Sequence, residues 1–341
     1  MYGLYHIIYF TIIDILKTFM SPFFILVSLI IYLQYRNVND YPLKYTLRSI
    51  LFGIIGGLIA TIIFIYLQVY LIPKDYLYIL IISVGLSFLD KRFICISYGG
   101  SLLILFSNMF SYPKINPYEI MIVISVLHMV ESILIILNYF NPWETKYYLN
   151  NNKIVGGLVN NQFWPVPFTV FIGDIFIRPV TLLAILNYSD FTISNFPKRK
   201  TIETSIILFF YSSILFILSI LSSNNYLAPI FAIIGHEFII YINKLREDLK
   251  TPLYTEPYKG IRVLKVEKAS IASRLGIRHG DIILRINKMT INDIEDLRDI
   301  MFLNKGKVTI SYYNLKQGLV EKTYRGKEKT LGVETFPKVQ Y

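Results

Sequence analysis

A single cysteine, Cys95, stands in 341 residues, and it sits inside an apolar run. A disulfide framework needs pairs and a cysteine-rich metal site needs several, so both are excluded. Charge is scarce too. Asp, Glu, Lys and Arg make up 17% of the chain against a hydrophobic share of 54% and a mean hydropathy of +0.50. That leaves too little polar surface for a soluble enzyme of this size. The charge is also unevenly placed: residues 244–341 hold 20 Lys and Arg and 12 Asp and Glu, the first 243 residues only 14 and 11. The net charge of +11 does not point to nucleic acid, because basic residues between apolar segments set topology and meet anionic lipid. No cleavable signal sequence is expected, since the apolar start carries Asp14 and Lys17 and leads straight into further apolar segments. The chain therefore divides into a polytopic membrane domain over 1–243, a juxtamembrane helix end and linker over 244–257, and a charged soluble module over 258–341.

Crossing the hydrocarbon core takes about 20 mostly apolar residues. Segments 50–72, 118–137, 202–222 and 226–243 meet that length or nearly so, and 76–89 and 93–110 read as a tight helical hairpin around Asp90, Lys91 and Arg92. Two more apolar stretches are interrupted: 5–35 by Asp14, Lys17 and Ser21-Pro22, and 163–186 by Pro165, Pro167, Asp174, Arg178 and Pro179. With six crossings and two elements that enter and return, every Lys/Arg-rich loop falls on one side, as the positive-inside rule demands. The expected fold is an α-helical membrane domain of six to eight membrane segments, with the C-terminal module in the cytoplasm. Before the Trp164-Pro165 corner, Asn150 to Asn152 is a turn signal between Tyr147-Tyr148-Leu149 and Ile154-Val155. A short β-hairpin fits there, and so does a polar loop.

The most specific pattern lies in the soluble module. Tyr258-Lys259-Gly260-Ile261 leads into Arg262-Val263-Leu264-Lys265-Val266, then Ala269-Ser270-Ile271-Ala272, Leu275-Gly276-Ile277, Gly280-Asp281-Ile282-Ile283-Leu284-Arg285-Ile286-Asn287 and a helix over 294–303. This order resembles a bacterial PDZ domain of the kind attached to envelope proteases, with Ile271 where a proline is usual. An α+β module that binds peptides is implied. Gly260 would turn N–H groups toward a ligand carboxylate, and residues 261–265 would offer an open strand edge to an added peptide. The expected peptide-binding residues are Lys259, Gly260, Ile261, Arg262 and Val263, with Leu297, Ile300 and Met301 on the facing helix. Alternatively, the helix residues are core. Lys259, Arg262, Lys265 and Arg298 would favour acidic peptides, or equally form a cationic face above anionic lipid.

A PDZ-like module on a membrane domain raises the question of proteolysis. Two histidines one helical turn apart with an intervening Glu would mark a zinc protease; Gly235-His236-Glu237 begins that pattern, but residue 240 is isoleucine. His6, His128 and His279 do not restore the spacing, and Gly-x-Ser-x-Gly, P-loop and dinucleotide fingerprints are absent. No catalytic residue, no metal and no cofactor is expected. Ionisable residues inside spans still need partners. His128 and Glu131 share a helix face and, with His236 and Glu237, form a candidate intramembrane polar centre. Interhelical hydrogen bonding explains it, and a metal-binding centre of His128, Glu131 and His236 is the functional alternative.

The whole chain resembles the MinJ family of polytopic PDZ proteins in Gram-positive bacteria. The residues that carry the resemblance are His128-Met129-Val130-Glu131, Val155-Gly156-Gly157 leading to Phe163-Trp164-Pro165-Val166-Pro167, and Phe231-Ala232-Ile233-Ile234-Gly235-His236-Glu237. The family implies a non-enzymatic membrane adaptor, enriched at septum and poles, that joins a septal coiled-coil protein to the MinC/MinD inhibitor of division-ring assembly. The residues alone give a narrower result: a multi-pass protein of the cell membrane, in contact with the bilayer and with protein partners and not with nucleic acid. The alternative is an accessory or degenerate component of a membrane proteolysis system that presents substrates through its PDZ domain. A transporter or sensor with a regulatory PDZ domain is a third reading.

Overall fold

The computed structural model describes residues 2–36, 41–137, 143–150, 153–172, 178–222, 224–303 and 306–336. It divides into two compact units. The first holds Met1–Asn141, Asn161–Ser189 and Thr201–Asn243; the second holds Pro142–Asn160, Asp190–Lys200 and Lys244–Tyr341. Residues 142–160 and 190–200 thus belong with the C-terminal module and not with the rest of 1–243.

The first unit is built on helices α1 (Tyr2–Phe19), α2 (Pro22–Arg36), α3 (Pro42–Leu67), α4 (Pro73–Ser87), α5 (Ile96–Phe110), α6 (Pro117–Leu137) and most of α7 (Pro197–Leu221) and α8 (Leu227–Leu249), whose first and last residues, respectively, belong to the second. Among the described residues, α3, α6, α7 and α8 are long and apolar enough to cross a membrane, and the α1–α2 pair, bent by 57°, makes a fifth if it counts as one span. The bend falls at Ser21-Pro22, where the Ser21 hydroxyl accepts from Phe24 N at 3.2 Å and Pro22 opens the next helix. The six crossings expected from sequence are reduced because α4 and α5 have 15 residues each. At 1.5 Å per residue they reach about 22 Å, short of a core of about 30 Å. They form the expected hairpin through a short 3-10 turn, Lys91–Ile94. Glycine permits its closeness: a Cβ on Gly99 would lie 2.7 Å from Ile79 O, and one on Gly100 would lie 2.6 Å from Ile124 Cδ1 of α6. The core centres on α6, where Ile120, Ile122, Val126, Leu127, Val130 and Leu134 are buried.

The described parts of stretch 163–186, expected as an apolar membrane element, are β-structure: residues 163–172 and 178–186. Strand β2 (Lys153–Ile172) lies between β1 (Glu144–Asn150) and β3 (Arg178–Thr192) in a three-stranded sheet. The reason is local. Pro165 and Pro167 deny a helix its hydrogen bonds, and β-branched Val166, Thr169, Val170 and Ile172 favour extension. The strand runs straight through the expected Trp-Pro corner. Beyond Val159, where β1 stops pairing, α3 takes over one flank: Cβ atoms on Gly53 and Gly57 would lie 2.1 Å from Pro165 O and 1.9 Å from Pro167 O. In a strand, N and O of one residue point to the same side, so both prolines turn their missing N–H toward a helix, where no strand could use it. Thr169 N donates to Thr61 Oγ1 at 2.9 Å, and Tyr76 donates to Leu183 O at 2.9 Å. Trp164, Val166 and Phe168 are fully buried. Asp174 lies outside the described residues.

In the second unit, β1 and the start of β2 pair antiparallel from Glu144↔Val159 to Asn150↔Lys153, which is the hairpin reading of that segment. The C-terminal module follows: β4 (Ile261–Val266), α9 (Ile271–Leu275), β5 (Ile282–Ile286), β6 (Met289–Thr290), α10 (Ile294–Phe302), β7 (Lys307–Asn314), β8 (Gly318–Arg325) and β9 (Val333–Phe336). Its sheet has the order β8-β7-β5-β4-β9, with β6 on β5. One core gathers Ile261, Val263, Ile283, Ile286, Leu297, Met301 and Leu331. A second cluster joins Leu264 and Phe336 to Trp143, Leu158 and Tyr254. Residues 252–257, expected as a linker, are fixed in this unit: Tyr254 is fully buried, its carbonyl accepts from Gly156 N at 2.8 Å, and Leu253 N donates to Ile193 O at 2.7 Å.

Candidate functional site

Two places hold the residues singled out by sequence. In the module, the motif glycines and Asp281 tie β4 to β5. Gly280 N donates to Val263 O at 2.7 Å and Val263 N donates to Asp281 O at 2.8 Å. The Asp281 carboxylate accepts from Arg278 N at 2.9 Å and from Asn314 Nδ2 at 3.0 Å; burial nevertheless raises its pKa. Ser270 caps α9 by accepting from Ser273 N, and Gly276 closes it in the left-handed region.

The open edge is not where the sequence places it. β4 pairs antiparallel with β5 through Ile261↔Ile283 and Arg262↔Ile282, and on its other side with β9 through Arg262↔Phe336, Val263↔Thr335, Lys265↔Glu334 and Val266↔Val333. Residues 261–265 therefore present no free edge, and among the described residues β9 ends the sheet. Gly260 does adopt a positive φ of 80°, but it serves the approach of β5: a Cβ there would lie 2.3 Å from Ile283 O. Ile261, Val263, Leu297 and Met301 are core residues. Arg262 is partly buried and donates to Thr255 O at 2.7 Å and Gly280 O at 3.1 Å, so it holds backbone and does not line a rim. Lys265 pairs with Glu334 at 3.0 Å. Of the expected groove residues, Lys259 is exposed and Ile300 half-buried. Near the edge, Gly332 has φ 71° and abuts Ser270, Thr335 is 2% exposed with an unpartnered hydroxyl, and Lys329 stands 4.1 Å over the Phe302 ring at the end of α10. What hid this from sequence is that the edge strand comes last in the chain, about 70 residues after the strand it pairs with.

In the first unit, the polar centre assembles from α5, α6 and α8. The rings of His128 and His236 are 5.8 Å apart. Cys95 Sγ lies 3.3 Å from His128 Nε2, and His128 Nδ1 lies 2.8 Å from Ile124 O. Tyr98 meets His236 Nδ1 at 2.9 Å and donates to Glu237 Oε1 at 2.7 Å, while Arg92 holds Glu237 Oε2 at 3.0 Å. Glu131 is buried one turn further along α6. One potential ligand atom from each of Cys95, His128 and His236 lies within 4.8 Å of the others. Nothing in the local pattern of residues points Cys95, Tyr98 or Arg92 to this place; the α4–α5 turn and the start of α5 bring them there.

Sequence reasoning also passed over a buried ionic cluster in the second unit. Lys200, the last residue of the basic run Lys198-Arg199-Lys200, is 3% exposed and pairs with Glu247 at 3.3 Å and Asp190 at 3.7 Å. Glu247 accepts from Ile193 N, Ser194 N, Ser194 Oγ and Thr192 Oγ1 at 2.8 to 3.2 Å. Arg178 is exposed at the start of β3.

Among known protein families, a PDZ domain is found at residues 262–310, the stretch from β4 into β7. A comparison with curated proteins gives no match. The chain is a PDZ-containing protein with a helical N-terminal region bearing four to five apolar candidate spans, which fits membrane insertion, and the PDZ domain implies peptide binding.

Proposed function

We propose that the chain is a non-enzymatic membrane adaptor whose cytoplasmic PDZ domain binds extended segments of partner proteins by adding them to β9. The observation that carries the proposal is a PDZ domain whose sheet ends in β9, with no strand beyond it among the described residues. A peptide there would exchange main-chain hydrogen bonds with Val333–Phe336 and set its side chains toward Ile300 and the buried hydroxyl of Thr335. The loops with Lys and Arg support a cytoplasmic placement. The likeness to MinJ-type proteins makes division-site proteins, a septal coiled-coil protein and MinC/MinD, the first partners to test, with enrichment at septum and poles.

The test uses the full-length chain in nanodiscs to select binders from displayed peptides, followed by titration of a selected peptide. Replacing Ile300 by Glu is expected to weaken that peptide by about tenfold or more with circular dichroism unchanged. Equal affinity for both proteins would sink the proposed groove. In cells, a fluorescent fusion should concentrate at septa, and an even membrane signal would refute the division-site role.

A further inference from the structure

We propose that Cys95, His128 and His236 form a binding site for a zinc ion that ties the start of α5 to α6 and α8. One thiol and two imidazoles offer sulfur and nitrogen donors within 4.8 Å of one another, the donor set that zinc accepts and that calcium and magnesium do not.

The protons around the site decide what the rings present. His128 Nδ1 faces the Ile124 carbonyl at 2.8 Å. A carbonyl can only accept, so Nδ1 carries the proton and Nε2 keeps a lone pair, turned to Cys95 Sγ at 3.3 Å. At His236 the same result follows through one more residue. The Tyr98 hydroxyl donates to Glu237 Oε1 at 2.7 Å, so toward His236 Nδ1, 2.9 Å away, its oxygen accepts. Nδ1 again carries the proton and Nε2 is free to ligate. Arg92 fixes the far carboxylate oxygen at 3.0 Å. Both rings are therefore held in one tautomer by a partner at Nδ1, the arrangement that orients metal-ligating histidines.

A thiol proton could satisfy one imidazole lone pair but not two. A cation satisfies both rings and the sulfur. Binding replaces the thiol proton with a sulfur–zinc bond and releases that proton to solvent. The three protein donors leave one position of a tetrahedron for water. Entry is from the side of Arg92 and Glu237, whose side chains are 41% and 38% exposed. The missing second histidine of the protease pattern, at Ile240, is therefore no bar to a metal here, because the second imidazole comes from a different helix and the third donor from a turn.

The test is metal analysis of the full-length chain, purified in detergent through a tag without histidines. About one zinc per chain is expected after passage over a weak chelating resin. Exchange into cobalt(II) should add a thiolate-to-metal charge-transfer band, and since Cys95 is the chain's single cysteine that band has one source. Cys95→Ser should abolish the band, and Tyr98→Phe, which removes the hydroxyl that joins His236 to Glu237, should weaken zinc affinity by about tenfold to a hundredfold. A wild-type chain that holds no zinc and gives no cobalt–thiolate band overturns the proposal without reliance on any variant. So does zinc content that is unchanged in a folded Cys95→Ser chain.

Discussion

Glu247 has a side chain with no exposed surface and meets Lys200 at 3.3 Å, with four donors on one of its oxygens. Removing Glu247 leaves Lys200 with the longer Asp190 pair at 3.7 Å and strips four donors of an acceptor, a loss of the order of breaking a buried pair, about 3–5 kcal/mol. Glu247→Leu should therefore lower the stability of the second unit by that amount, read by chemical unfolding with Trp143 fluorescence in a Trp164→Phe background. Adding Lys200→Met should recover part of the loss, and an unchanged midpoint in the single variant would show the cluster to be idle. His279 acts through pH. It packs on Phe196 at 5.3 Å, and burial, with Lys198 and Arg278 nearby, pushes its pKa down to about 4. The unfolded imidazole takes up a proton near its ordinary value of about 6.5, whereas the folded one resists until about pH 4. The folded state is thus favoured above the higher value and loses that advantage as pH falls toward the lower one. Subtracting a His279→Gln chain isolates this group: the wild type should lose stability relative to the variant between those two values, and parallel curves would contradict the assignment. Neither Lys200, the partner of Glu247, nor His279 stood out in the sequence, because a lysine in a basic run and a histidine in a turn do not announce burial.

At the scale of elements, the four long apolar helices and the α4–α5 hairpin were legible from hydropathy, since a continuous apolar run of that length has few other uses. Strand β2 was not. Its residues are apolar enough for a membrane helix, and only Pro165 and Pro167 with the glycines of α3 decide otherwise, through a contact more than 100 residues apart in the chain. That contact gives a prediction. A leucine at Gly57 places its Cβ against a backbone carbonyl that cannot rotate away, so Gly57→Leu should abolish recovery of the folded protein in detergent. Gly85, with nothing within 4 Å of an added Cβ, is the control, and Gly85→Ala should be recovered normally. Equal recovery of both would mean that β2 does not lie on α3. In the module, the elements followed the motif closely, because the Gly280-Asp281 turn and the Ser270 cap act locally. Strand order escaped, because pairing between chain-distant segments leaves no local trace.

For the whole molecule, the sequence separated an apolar helical part from a PDZ domain, which implies peptide binding, but it expected an open edge at β4, which β9 covers. The correction moves the proposed contact from β4 to β9 and leaves the mode of recognition unchanged. Gly260→Val should unfold the module, because the substituted side chain meets Ile283 O. The most direct measurement of the central claim is amide hydrogen exchange on the full-length chain in nanodiscs, with and without a saturating selected peptide. Strand addition predicts slowed exchange at Val333–Phe336 and little change in β8, the opposite end of the sheet. Bound peptide with unaltered exchange at β9 would contradict the account.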